Sequence, residues 1–513
     1  MIIESLVIAI KSLLRLKRLR APRPYLCELF KKAFNKIHPK FTKSFVVMTV
    51  QTIPKRFKFA KGVIWLFLVL SVLLLSYTYY RAEIIYQGNV SEKYFKYYVI
   101  SLTGILFSGL VARLKDELKL NIVMAITILV VGVYLIEIAL QSQFDTRSRY
   151  QVYQDLKTAG VDAVPRVLPA FFRESNGIAG SEPLFPLAGI SKKNTVFCNE
   201  SGEYSIYLSD RYGFNNPDSE WDTPQTEWLL TGDSFTHGAC VEPGEDIAGQ
   251  IRLITNESAL TLGMGGNGPL QELATLKEYA EFRKPKKVLW LYYEENDLSD
   301  LKKESSVPLL MSYLKPKFSQ NLIQRQKEID NRLKIFIEKS EENMGDEGLV
   351  GKARGLGEKN QTVVNNWFLS KTKALRLYHI RGRMGFDDNI NTHLHAHNNV
   401  RRQMDTSVDP LFTQILKQTR DQTAAWGGKL YFIYLPAKTR YETGSKGRVL
   451  FKHSNAVLEV AKNLGLSIIN IHREVFSSHP DPMSLFPNRM YNHYSPTGYN
   501  AVAKAIILSV ESS

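Results

Sequence analysis

Apolar and polar positions along this 513-residue chain follow three successive patterns. In the first, Gly62 to Tyr80 (GVIWLFLVLSVLLLSYTYY) carries no formal charge. At about 1.5 Å per residue, such a run matches the hydrocarbon thickness of a bilayer. Leu120 to Leu140 is a second such run, broken only by Glu137 near its end. Tyr97 to Ala112 lies between them, apolar but diluted by Ser, Thr and Gly. These stretches predict three membrane spans at about 62–80, 97–114 and 120–140. In the second pattern, from Gln141 to about residue 226, neither a helical nor a strand period is sustained, and the segment reads as a stalk and lead-in.

In the third pattern short apolar runs alternate with helical periodicity. Trp228–Thr231, Ser258–Leu262, Lys287–Tyr293, Leu430–Leu435 and Leu466–Ile471 read as strands, and Gln271–Phe282, Leu411–Trp426 and Thr497–Val510 as helices. Alternation of this kind predicts an α/β domain over 227–513, a parallel sheet covered by helices on both faces. Residues 301–408 interrupt the rhythm with a charged, largely helical insertion, a candidate cap over the site.

Charge refines the picture. The net charge of +16 is concentrated before the first span, where Met1 to Lys61 hold 15 Lys and Arg against Glu4 and Glu28. Beyond them basic and acidic residues nearly balance, which argues against a nucleic-acid partner and for a lipid bilayer. Ile2–Arg20 mixes apolar and basic positions like an amphipathic helix on anionic headgroups. A basic segment of this kind stays in the cytoplasm. Three crossings then make the protein multi-pass with its C-terminal domain extracytoplasmic, a parity that fails if the middle stretch does not span. Cys198 and Cys240 would be free to pair in an oxidising compartment, or remain two thiols, while Cys27 would be cytoplasmic and free.

Ligands of an open parallel sheet bind beyond the carboxyl ends of its strands, and four junctions stand out there. Gly232-Asp233-Ser234-Phe235-Thr236-His237-Gly238 follows the first strand. A serine at a strand-to-helix turn suits a nucleophile, or a plain helix N-cap. Leu262-Gly263-Met264-Gly265-Gly266-Asn267-Gly268 offers closely approaching backbone N–H groups, or a tight turn. Tyr293-Glu294-Glu295-Asn296-Asp297 can aim a side-chain amide into the site or cap the next helix, and His493-Tyr494-Ser495-Pro496 places an imidazole before the last helix.

In order and content these four stretches resemble the sequence blocks of the SGNH (GDSL-type) hydrolase superfamily, over roughly Glu227 to the C-terminus. The resemblance implies a flavodoxin-like three-layer α/β/α domain, with Ser234 as nucleophile and His493 as general base. It also implies an oxyanion hole from the Ser234 and Gly266 N–H groups and the Asn296 amide, Asp233 and Asp297 in support, and no cofactor or metal. Two positions depart from the pattern. Glu294 stands where the third block usually has glycine, which would narrow the site or shift its charge. Met490 stands where an aspartate often precedes the histidine by three residues, so Asn488, Asn492 or a backbone carbonyl is left to orient His493 in a dyad.

The expected chemistry is attack of Ser234 on an ester, with His493 taking its proton. Water as acceptor gives an esterase acting on an O-acylated glycan or lipid. A sugar hydroxyl gives an O-acyltransferase served by a membrane partner that exports acyl groups, and the two departures keep a non-catalytic glycan-binding scaffold in view. His237 reads as packing rather than pocket, and His393, His395 and His397 as an exposed loop rather than a metal site.

Overall fold

The computed structural model describes residues 53–85, 91–180, 182–344, 375, 377–384, 408–441 and 453–512. The N-terminal amphipathic stretch, Cys27 and the His393–His397 cluster lie outside them. The chain divides into two compact units, Met1–Val131 and Gly132–Ser513.

In the first unit α1 (Ile53–Tyr79) and α2 (Ser91–Ala112) are followed by the start of α3 (Asp116–Gln141). The apolar stretches Phe57–Ile85, Tyr94–Ala112 and Asp116–Gln141 are each long and apolar enough to cross a bilayer. Their outward positions are large and bare, as in Trp65, Leu106 and Ile128, which suits lipid rather than water. A small apolar cluster of Ala60, Ile64, Val111 and Val123 is buried between helices.

The end of α3 belongs to the second unit, and there Glu137 finds partners. It is fully buried, and its two carboxylate oxygens accept the His379 and Ile380 N–H groups, each at 2.9 Å. These are early amides of helix Tyr378–Arg383. An acid in an apolar helix is costly unless it is satisfied, and here it serves as a helix cap.

The segment expected to be a stalk is folded into the domain. After α4 (Arg149–Thr158) it forms a three-stranded sheet of β1 (Ala163–Pro165), β2 (Asn194–Val196) and β3 (Ile206–Leu208). Leu184, Phe185, Leu187 and Phe214 are wholly buried in the main core cluster. Asn216 completes the edge of the larger sheet, donating to the Thr261 carbonyl at 2.9 Å and accepting its N–H at 2.8 Å. Periodicity was too short to reveal this because the burial comes from isolated residues between turns.

The larger sheet is wholly parallel. Its strands β4 (Trp228–Gly232), β5 (Ala259–Thr261), β6 (Lys287–Tyr293), β7 (Lys429–Leu435) and β8 (Ser467–Asn470) lie in the order β5-β4-β6-β7-β8. Strand β6 reads KVLWLYY, and all but its first residue are buried, as a strand covered on both faces requires. The crossover helices are α5 (Ile247–Thr255) and α6 (Pro269–Thr275), followed further on by α7 (Asp297–Glu304), α8 (Gln326–Met344) and, after the helix that Glu137 caps, α10 (Pro410–Ala425), α11 (His453–Asn463) and α12 (Pro496–Glu511). That capped helix, Tyr378–Arg383, is α9. The order turns back on itself between β4 and β6, so the crevice for a ligand opens beyond the carboxyl ends of those strands. In the described part of the insertion, Leu310, Tyr313, Leu322, Ile329 and Leu333 join the same core cluster as Phe172 and Trp290.

Candidate active site

Strand β4 ends at Gly232 and the chain turns at once. Asp233 is buried, and its Oδ1 accepts the Phe235 N–H at 2.9 Å, closing an Asx turn around Ser234. No helix starts here, contrary to the sequence expectation. The turn runs through Gly238 (φ +79°) and Cys240 (φ +63°), both left-handed, and a helix begins only at Ile247, capped by Asp246. Cys240 is tied to Cys198 within this turn, and Gly238 packs so closely on Asp246 that a Cβ would strike it.

Ser234 and His493, 259 positions apart, meet in the crevice. The serine Oγ lies 2.9 Å from His493 Nε2. On the other side of the ring, His493 Nδ1 lies 2.8 Å from Glu200 Oε1, and the His493 backbone N–H donates to Glu200 Oε2 at 3.2 Å. The tautomer consistent with both contacts has Nδ1–H donating to the carboxylate and Nε2 accepting from the serine hydroxyl. Neither Asn488, Asn492 nor a carbonyl orients His493: the acid arrives from the lead-in, and the expected dyad is a Ser-His-Glu triad. Asn488 instead accepts from Arg383 Nη2 at 2.8 Å.

Glu200 is held there by its neighbours. Cys198 ties the loop to Cys240 in the serine turn, with the two Cα atoms 5.0 Å apart. Burial disfavours the charged form of both partners, but each stabilises the other: the Glu200 pKa is lowered by His493, and the His493 pKa is raised by Glu200. The ligand-type atoms of Glu200, Cys240 and His493 lie within 4.8 Å of one another, yet the sulfur is spent in the disulfide and the other two groups bind each other. The cluster is accounted for without a metal.

The glycine loop after β5 is built as a cradle. Gly266 has φ +79°, a conformation that costs L-residues, and a Cβ there would sit 3.2 Å from Ala170 Cβ. Among the described residues, neither the Gly266 nor the Ser234 N–H donates to a protein acceptor. Two unspent amides thus flank the Ser234 hydroxyl, an arrangement able to receive an oxyanion. Arg173 Nη2 donates to the Gly266 carbonyl, while Glu304 accepts the Gly268 N–H at 2.6 Å and the Leu270 N–H at 2.9 Å.

His237 supports the same loop from below. Its Nδ1 accepts the Gly265 N–H at 3.2 Å, its Nε2 lies 2.8 Å from the Tyr207 hydroxyl, and burial drives its pKa down to about 3. It is a neutral packing and positioning residue, in keeping with the sequence reading.

Solved structures of similar shape can be set beside this geometry. They are the lipase/acylhydrolase from Enterococcus faecalis (12% identity, TM-score 0.28), TesA (11%, 0.27) and a G-D-S-L family protein from Desulfitobacterium hafniense (10%, 0.27). Each aligns with 56% of this chain and with 96%, 99% and 99% of its own length, respectively. No family model matches the chain, and neither does any curated protein.

The third block is placed as a side wall. Asn296 Nδ2 lies 3.4 Å from Asp233 Oδ2, which in turn is 3.4 Å from Ser234 Oγ, so the amide and the serine hydroxyl share one carboxylate oxygen. Asn296 does not cap α7 through its side chain. Asp297 accepts the Tyr293 N–H at 2.9 Å and fixes the turn to the end of β6. Glu294 neither narrows the site nor leaves a charge in it. Its carboxylate is bound by Arg440, by the Tyr434 hydroxyl at 2.6 Å and by the Ala437 N–H at 2.7 Å, which ties β6 to the loop after β7.

Removing one oxyanion donor typically costs about 10²- to 10³-fold in kcat. We therefore expect Asn296→Ala to lower kcat by that amount in steady-state ester hydrolysis with little change in KM. A KM effect alone would assign the amide to ground-state binding.

Proposed function

We propose that this chain is a membrane-anchored serine hydrolase of the SGNH type, acting on ester bonds of an O-acylated glycan or lipid. One observation carries the reading: Ser234 Oγ, His493 Nε2 and Glu200 form a continuous hydrogen-bonded line beside two amides with nothing to donate to. The two departures that favoured a scaffold speak for catalysis instead, since Glu200 supplies the acid missing at Met490 and Arg440 neutralises Glu294.

The steps follow from those contacts. His493 takes the Ser234 proton as Oγ attacks the ester carbonyl, and Glu200 stabilises the imidazolium that forms. The oxyanion is met by the Ser234 and Gly266 N–H groups and the Asn296 amide, each worth about 3 kcal/mol in such sites. The imidazolium returns its proton to the departing alcohol, leaving an acyl-serine. Water, deprotonated by the same imidazole, then releases the acid; a sugar hydroxyl in its place completes an acyl transfer.

Kinetics on short- and long-chain acyl esters with wild-type and Ser234→Ala protein tests the proposal. Turnover that depends on Ser234 supports it, and Ser234-independent turnover opposes it.

The domain's place is extracytoplasmic. The basic segment before α1, three apolar helices and a Cys198–Cys240 disulfide support that arrangement. An alkaline phosphatase fused after Ser513 should be active; an inactive fusion beside an active cytoplasmic reporter at the same site would reverse the topology.

A further inference from the structure

The segment that delivers Glu200 also carries two arginines with no carboxylate partner. Arg149, at the start of α4, donates from Nε to the Phe197 carbonyl at 2.6 Å. Arg166, just after β1, donates its backbone N–H to the Val196 carbonyl at 3.1 Å, and its guanidinium lies over the Phe197 ring, 5.4 Å from the centroid. Both guanidiniums therefore converge on a residue three positions before Glu200. Among the described residues neither forms a salt bridge, and the buried Nε of Arg166 has no hydrogen-bond partner. Arg173, Arg211 and Arg440 each hold a carboxylate, while Arg252 and Arg283 are bound by backbone carbonyls and threonine hydroxyls.

Glu200 favours the charge of Arg166 from a distance, but its oxygens are engaged with His493 and it forms no salt bridge with either arginine. Burial pulls the Arg166 pKa down to about 9, with the charge of Arg149 adding to the effect, so the group still carries its proton at neutral pH. Burial depresses Arg149 as well. Two like charges in a half-buried place, one with an orphaned donor, are costly unless an anion joins them. Guanidinium forks match carboxylate and phosphate oxygens.

The pair lies beside the reaction centre. The charge of Arg166 is felt by His493 and His237. The chain leaving it runs along the oxyanion loop, where Leu168 lies 3.3 Å from the place a Cβ on Gly265 would take and Ser234 Cβ lies 3.8 Å from the same point. Tyr204 feels both guanidiniums.

We propose that Arg149 and Arg166 form an anion subsite that binds a carboxylate or phosphate on the alcohol part of the ester, so that the substrate is an O-acylated acidic sugar. This rests on the hydrolase reading, and the test separates the two. The full-length protein is assayed with the monoacetylated methyl glycosides of glucose, glucuronic acid and glucose 6-phosphate, and with p-nitrophenyl acetate. We expect kcat/KM for at least one acidic sugar to exceed that for the neutral one by about tenfold or more. The winning arm identifies carboxylate or phosphate. The acidic-to-neutral ratio should fall to near one in Arg149→Gln/Arg166→Gln and survive in part in Arg166→Lys.

Turnover of p-nitrophenyl acetate by wild type with equal rates on the three sugars overturns the subsite and leaves the hydrolase intact, as does a ratio that persists in the double variant. Should wild type hydrolyse no ester, the hydrolase reading fails, and equilibrium binding to Ser234→Ala protein decides the subsite alone. Methyl glucuronide or inorganic phosphate binding at least tenfold tighter than methyl glucoside, and losing that margin in Arg166→Gln, supports it; equal binding overturns it. If the double variant does not fold, competitive inhibition of wild-type p-nitrophenyl acetate turnover by methyl glucuronide or phosphate, but not by methyl glucoside, supports the subsite, and its absence overturns it.

Discussion

Glu200→Gln lowers kcat/KM for ester hydrolysis by about 10³- to 10⁴-fold, with fold and membrane insertion retained. The size is that of removing the acid from a serine triad. The amide keeps the volume but loses the charge that stabilises the imidazolium, and it can hold His493 in the wrong tautomer. The pH profile supplies a second reading. In the wild type the His493 pKa is raised above its usual value of about 6.5, because Glu200 outweighs the burial that disfavours its charge. The base works when neutral, so wild-type kcat/KM rises with pH through a limb above that value. Without the Glu200 charge burial dominates, and the limb should move to lower pH even as the plateau falls. A variant with unchanged rate and limb would remove Glu200 from the reaction.

Ser234→Ala should have the largest effect, a fall in kcat of about 10⁶-fold. Among the described neighbours, Asp233 is held by the Phe235 amide through Oδ1 and shares Oδ2 with Asn296, and the His237 imidazole is buried against Gly265 and Tyr207. Loss of only about tenfold would mean that hydrolysis proceeds without an acyl-serine, by direct attack of water.

The sheet was legible because its strands are short, apolar and regularly punctuated. Lys287–Tyr293 was readable to the residue, and the others to within one or two positions. Ser234 and His493 were legible because each sits where a parallel sheet presents its ligands. Glu200 was not, since nothing distinguishes one acid in a turn-rich segment from its neighbours. A signal did exist in the cysteines: Cys198 stands two residues before Glu200 and Cys240 six after Ser234, so pairing them draws the acid to the nucleophile.

The supports of the oxyanion loop were hidden for a related reason. Arg173 and Glu304 come from segments read as stalk and insertion, and only packing shows that both converge on Gly266–Leu270. Among the helices missed, α5 and α11 are amphipathic, and α5 follows a capping aspartate at Asp246, a local cue that was available.

The central claim is that Ser234 is an activated nucleophile, and a fluorophosphonate probe tests it most directly. Purified wild-type protein should gain one covalent adduct, mapped by mass spectrometry to the peptide holding Ser234, with no adduct in Ser234→Ala and much slower labelling in Glu200→Gln. Absence of an adduct in the folded wild type, or labelling that persists in Ser234→Ala, would contradict the account.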